Sequence, residues 1–136
     1  MTVHLSTPSN LQQGTPYHHV AVASGSRHIH VAGQISRLAD GTPVAPDDLA
    51  GQVAQALRNT RDGLASADAS FADVVRLTFY VTGWSPEKIE DFMAGVESVA
   101  AEIGLPIPMP PASLIGVDYL FESDVLVEVE ATAVAD

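Results

Sequence analysis

The sequence predicts an α+β domain in which two helices pack on one face of a mixed β-sheet. Three observations predict it. Apolar residues alternate with polar ones in 74–82 and 125–134, they recur at helical spacing in 49–64 and 89–103, and the elements run strand, strand, helix, strand, helix, strand, strand. At 136 residues, 46% of them hydrophobic, the chain can bury about two thirds of its unfolded surface as one domain spanning 1–136, with 1–16 as an N-terminal arm.

Val20 to Ala23 and His28 to Ile35 are short β-favouring runs separated by the turn-forming Ser24-Gly25-Ser26-Arg27, which predicts a hairpin. Pro46-Asp47-Asp48 then opens a helix, because proline fits the first turn and carboxylates suit the positive end of the helix dipole. Its dry face is Leu49, Val53, Ala56, Leu57, Thr60 and Leu64, with Gln52, Gln55, Arg58 and Asp62 turned elsewhere. In the strand that follows, Val75, Leu77, Phe79 and Val81 take one side and Arg76, Thr78, Tyr80 and Thr82 the other. Ser85-Pro86-Glu87 starts the second helix, whose stripe Ile89, Phe92, Met93, Val96, Val99, Ala100 and Ile103 ends at Gly104, and Trp84 reads as a buried staple before it. The prolines of 105–111 prevent regular structure, and β character returns in 113–120 and 125–134.

Two helices cover one sheet face. On the last strand Val125, Val127, Val129, Ala131 and Ala133 point toward them, leaving Leu126, Glu128, Glu130, Thr132 and Val134 on a second face with Arg76, Thr78 and Tyr80. That face is too apolar for water and too polar for a dry core, which predicts self-association with a ligand site between chains.

Charge narrows the partners. Six Lys and Arg against 17 Asp and Glu give a net charge of −11, which repels nucleic acid and anionic lipid, and the cations are scattered. No apolar run approaches the ~20 residues of a membrane span. The absence of cysteine removes disulfides, thiolate metal ligands and a thiol nucleophile, and the chain reads as cytoplasmic, with neither nucleic acid nor membrane as a partner.

His28 and His30 share one side of a strand about 6.6 Å apart, and with His18 or His19 they could hold a metal. Nothing in the spacing fixes a third ligand, so they are read as surface or interface histidines and no metal or other cofactor is expected. Glu128 and Glu130 share a face, where mutual repulsion would raise one pKa for acid–base work. The plainer reading pairs one glutamate with Arg76 and solvates the other.

Val31-Ala32-Gly33-Gln34-Ile35, with Gly41, Gln52 and Asn59, resembles the RidA/YjgF superfamily. So do Asp73-Val74-Val75-Arg76-Leu77-Thr78-Phe79-Tyr80-Val81, Asp91-Phe92 and Val127-Glu128-Val129-Glu130-Ala131. The likeness runs from about Tyr17 to Val134. It implies a chorismate-mutase-like fold and a homotrimer, with a central barrel of sheets, helices outside and small-molecule clefts between subunits. It also implies, for the deaminase branch, cofactor-independent hydrolysis of reactive imines and enamines to a carbonyl compound and ammonia. An endoribonuclease activity sometimes attached to the family fits poorly with so few basic groups.

In that branch an arginine in a Pro-Ala-Arg-Ser segment grips the substrate carboxylate, fifteen residues before the first glutamate of the closing strand. Counting back from Glu128 reaches Ser113. The resemblance assigns Tyr17 as an aromatic wall, Gly33 as a backbone polar group and Glu128 as the carboxylate that orients water. His19 would help shape the pocket and Ser113 would donate a hydrogen bond. Ala32 stands where the family has serine and Val96 where it has asparagine. Two readings stay open: an imine hydrolase using Glu128 and Ser113, with substrate held by Tyr17, His19, Ala32, Gly33 and Val96, or a non-catalytic metabolite-binding trimer. Another arginine, Arg76 or Arg27, could take the missing place.

Overall fold

The computed structural model describes residues 2–136. Its strands are β1 (Thr2–Ser6), β2 (Val20–Ser24), β3 (Arg27–Gln34), β4 (Val74–Thr82), β5 (Ala112–Val117) and β6 (Val127–Ala135), and its helices are α1 (Leu49–Ala65) and α2 (Ile89–Ile103). Four strands form one sheet in the order β3-β6-β4-β5. β6 runs antiparallel to both neighbours, whereas β4 and β5 are parallel and joined through α2, since parallel neighbours need a crossover connection.

Both helices cover one face of this sheet, and the core between them is apolar. Val53, Leu57 and Leu64 of α1, Val96 and Val99 of α2, Leu77, Phe79 and Val81 of β4, and Val127 and Val129 of β6 are almost fully buried there. Phe92 meets Phe79 edge-on at 4.9 Å between ring centroids, and Trp84 packs edge-on against the same Phe92. The two helices approach closely at Gly95, where a β-carbon would come within 2.5 Å of the Ala50 carbonyl oxygen. Asp48 caps α1 by accepting from the Gly51 N–H, and Gly104 ends α2 in the left-handed conformation at φ 72°.

Three local features differ from the sequence reading. The runs at 20–24 and 27–34 are both strands but do not form a hairpin: β2 pairs with β1, and β3 pairs with β6. The turn between them is pressed onto the end of β6, with Gly25 so near the Ala135 carbonyl that a β-carbon would stand 2.5 Å from it. The ribbon of β1 and β2 therefore closes one end of the outer sheet face, β2 lying against β4 and β6, and Val134 is buried beside it.

On β4 a bulge between Val74 and Arg76 shifts the register, so Val74 takes the core position expected of Val75.

Gln52, expected outside the dry face of α1, is 1% exposed. Its amide N–H₂ donates to Asp124 O at 3.0 Å and Ala45 O at 3.3 Å, and its carbonyl accepts from the Leu126 N–H at 2.9 Å. The side chain thus pins the segment before β6 to α1. Gln52→Ala is expected to cost about 2 kcal/mol, read by denaturant unfolding, because it strands buried backbone polar groups.

Among the described residues no helix is long and apolar enough to cross a membrane.

Candidate functional site

The outer face of the sheet is a register of paired side chains. Across the β6–β4 ladder Glu128 lies opposite Tyr80, Glu130 opposite Thr78 and Thr132 opposite Arg76, and across the β4–β5 ladder Thr78 lies opposite Ser113. The parallel β4–β5 pairing brings position 113 beside the arginine two residues before Thr78. Arg76 Nη2 donates to Ser113 Oγ at 2.5 Å.

Glu130 is held differently from the sequence expectation. Its Oε1 accepts the Tyr80 hydroxyl at 2.7 Å, and Arg76 pairs with no carboxylate among the described residues. The diagonal reach of a tyrosine across two strands supplies this contact. The Tyr80 phenol is pushed above its ordinary pKa, first by that hydrogen bond to Glu130 and then by burial, so it remains a donor.

Glu128 is half-buried and its carboxyl pKa is raised above the usual 4.5, first by burial and then by the charge of Glu130. It faces Gly33 on β3: a β-carbon there would fall inside the carboxylate, so glycine leaves the space the acid occupies. Ala32, beside it, lines with His30, Arg76, Thr78, Glu130 and Thr132 a cavity of about 330 Å³ on the same face.

Tyr17 reaches the sheet from the far side of β5. His18 N–H donates to Met109 O at 2.7 Å and Met109 N–H to Pro16 O at 2.8 Å, which ties the segment before β2 to the proline-rich connector. Tyr17 and Ser113 then border one small apolar cavity of about 90 Å³ with Phe92, Met93 and Met109. His19 stacks at a tilt on Tyr17, 5.2 Å between ring centroids, and its Nε2 lies 3.5 Å from Thr15 Oγ1.

The candidate residues therefore fall into two groups within one chain: Tyr17, His19 and Ser113 at the β5 edge, and Ala32, Gly33 and Glu128 at the β3–β6 side. Ser113 and Glu128 sit on strands separated by β4, roughly 10 Å apart across the sheet. Val96 joins neither group. It is fully buried in the core between helices and sheet, so the reading that placed it in a binding pocket is corrected: its stripe position on α2 faces inward.

The histidine pair His28 and His30 is exposed on β3. Among the described residues no three His, Asp or Glu side chains converge as a metal cage would require.

Tyr80, given no site role from sequence, joins this polar face through Glu130, and His30, read there as a surface or interface histidine, lines the cavity. The period-two pattern of β4, which put Tyr80 on the face of Arg76 and Thr78, was the available signal.

A family model described as endoribonuclease L-PSP matches residues 7–135. The crystal structure of YyfB from Yersinia pestis, a protein of unknown function of the conserved Rid family, superposes with a TM-score of 0.87 at 32% identity, covering 98% of this chain and 99% of that one. The YjgF gene product of E. coli gives a TM-score of 0.68 at 26% identity, covering 96% and 94%. Among curated proteins none matches significantly.

Proposed function

Because this chain belongs to the RidA/YjgF family, a family of small-molecule-binding proteins, we propose that it is a homotrimer whose intersubunit clefts take a small metabolite and add water to an imine or enamine. The observation that carries this reading is Glu128, a half-buried carboxyl of raised proton affinity set against Gly33. Such a group takes a proton from water more readily than an ordinary carboxylate.

The balance is simple. Glu128 removes one proton as the water oxygen bonds to the iminium carbon. Protonated Glu128 returns that proton to the carbinolamine nitrogen, the C–N bond breaks, and ammonia leaves as the carbinolamine hydroxyl gives its proton back to the Glu128 carboxylate and the carbonyl forms. An enamine enters the same sequence after protonation at carbon.

Assembly is supported by the same face. Thr78, Tyr80, Glu128 and Glu130 lie opposite the helices and beyond the β1–β2 ribbon, and Ile115, Tyr119 and Phe121 near β5 are exposed apolar groups suited to a neighbouring copy. Closure into a trimer would let Tyr17 and Ser113 of one chain meet Glu128 of the next, joining the two groups that a single chain keeps apart.

The endoribonuclease activity in the family's description is not the reading favoured here. Arg27 is bonded to the Asp136 and Ala67 carbonyls, Arg37 to Asp124 and Glu122, Arg58 to Glu102, and Arg61 to Asp62 and Glu102, which leaves little positive charge to meet a phosphate backbone.

The second reading, metabolite binding without turnover, rests on Ser113 in place of the deaminase-branch arginine. One assay separates the two. 2-Aminoacrylate is generated by a serine-dehydrating pyridoxal enzyme and pyruvate release is followed with wild type and with Ser113→Arg. Wild type is expected to accelerate release by roughly 10² or more. Acceleration by the variant alone, or by neither, overturns the hydrolase reading for the natural chain.

A further inference from the structure

We infer that Tyr80 is a positioning residue of the Glu128 site: by donating its hydroxyl to Glu130 it makes Glu130 the member of the glutamate pair that keeps its charge and leaves Glu128 as the one that takes the proton. The inference rests on the reading of Glu128 as the proton-accepting carboxyl and says how the face selects it over its neighbour.

Two glutamates two residues apart on one strand face are alike in chemistry, so their surroundings must divide them. The structure treats them unequally. Glu130 Oε1 accepts the Tyr80 hydroxyl at 2.7 Å. The Glu128 carboxyl accepts no hydrogen bond from a described residue, is half-buried, and occupies the space that Gly33 leaves open. A bond donated to a carboxylate favours its charged form, whereas burial without a donor favours the neutral acid. The same bond keeps the phenol a donor, since Glu130 and then burial raise its proton affinity.

The register explains why the bond goes to Glu130. Tyr80 lies directly opposite Glu128 across the β6–β4 ladder, and Thr78 lies opposite Glu130. Directly opposite β-carbons stand about 5 Å apart and diagonal ones roughly 7 to 8 Å, so the long tyrosine ring delivers its hydroxyl to the diagonal residue. Phenylalanine at position 80 would keep the ring and its packing while leaving both carboxylates without a donor.

The other titratable and charged groups of this face are Arg76 on β4 and His28 and His30 on β3, with His4 on the ribbon. Arg76 lies opposite Thr132, one pair beyond Thr78 and Glu130, and donates to Ser113. It stands nearer Glu130 than Glu128 and is the one competing explanation for an unequal pair. His30 also lies opposite Thr132 and borders the cavity that Glu130 lines, whereas His28 lies opposite Val134, farther from both glutamates. His4 sits on β1, whose partner β2 closes the end of the face beside Val134.

The test follows the side-chain carboxyl carbons of Glu128 and Glu130 by ¹³C NMR through a pH titration of the full-length protein, in wild type and in Tyr80→Phe. The same spectra show that the variant is folded. In wild type the proton taken up at the higher pH is expected to reside on Glu128, with Glu130 carrying roughly a tenth of it or less, because a hydrogen bond to a charged group shifts such an equilibrium by tenfold or more. In Tyr80→Phe that preference is expected to fall by roughly tenfold, so that both carbons move in the one step. His30→Gln is titrated alongside, because an imidazole changes charge between about pH 5 and 8 and would move the Glu130 signal with no proton on Glu130.

A wild-type protein in which Glu130 takes the proton first or shares it equally overturns the inference. So does a preference unchanged in Tyr80→Phe, which assigns the division to Arg76. No substrate enters the titration, so its result is separate from the hydrolase reading. A preference lost in Tyr80→Phe without 2-aminoacrylate hydrolysis by wild type upholds Tyr80 and removes the reaction, and hydrolysis with the preference unchanged in the variant removes Tyr80 and leaves the reaction.

Discussion

Glu128→Gln is expected to lower kcat/KM for 2-aminoacrylate hydrolysis by roughly 10² to 10⁴, the range in which a positioned general base contributes. Glutamine keeps the shape and the contact with Gly33 but cannot accept a proton from water. The pH profile identifies the group. Burial and the neighbouring Glu130 raise the Glu128 pKa, so the acid limb of the wild-type profile lies above the ordinary 4.5, and activity is lost as pH falls through it. Glu130→Gln removes the second of these causes and is expected to shift the limb downward without abolishing turnover. Stability runs the opposite way. A carboxyl whose folded pKa is raised contributes stability that is fully present below the unfolded value and lost as pH rises through the folded one. Glu128→Gln therefore leaves the fold as stable as wild type or more so at neutral pH, and the loss of activity cannot be traced to unfolding. Wild-type turnover that persists in the variant would remove Glu128 from the chemistry.

Much of the fold was legible because its elements are encoded locally. The alternation in 125–134 and the helical stripes of α1 and α2 are properties of short windows, and the windows agree with burial in the structure except at Gln52 and Val134, which are buried, and Ile89, which is exposed at the start of α2. What was not legible depends on residues far apart in the chain. β2 looked like one arm of a hairpin because a turn sequence follows it, yet its partner is β1, which lies across a loop and carries no strong pattern of its own. The bulge at Val74 and Arg76 inserts one residue and exchanges Val75 for Val74, a change invisible to a strict period of two. The helical pattern turns Gln52 away from the dry stripe of α1, but the backbone groups it satisfies belong to Ala45, Asp124 and Leu126 and come together only on folding. The site shows the same division. Glu128, Glu130 and Arg76 could be placed on one face from alternation, whereas the Arg76–Ser113 contact requires the parallel register set by the α2 crossover. Sequence made Arg76 a partner of the glutamates, and tertiary geometry gave Glu130 to Tyr80.

Val96→Asn is expected to destabilise the protein by about 3 kcal/mol or more, lowering the thermal midpoint by roughly 10 °C. The substitution restores the residue that the family resemblance calls for, so the two readings of position 96 give opposite results. If Val96 lined a cleft, asparagine would be tolerated and could improve ligand binding. In the structure its side chain is fully buried in the apolar core that also contains Phe92 and Val99, one residue past the close approach of the helices at Gly95. Asparagine would bring two amide donors and a carbonyl into that environment, and tight packing at Gly95 leaves little room for the helices to part and admit water. The expected loss combines the forfeited burial of the valine methyls with the desolvation of an unpaired amide. Val96→Thr separates these contributions, because threonine keeps the branched shape and can return its hydroxyl to the carbonyl four residues earlier in the helix, so it is expected to cost less than asparagine. Thermal unfolding of both variants decides the matter: an asparagine variant as stable as wild type would move Val96 from the core to the site.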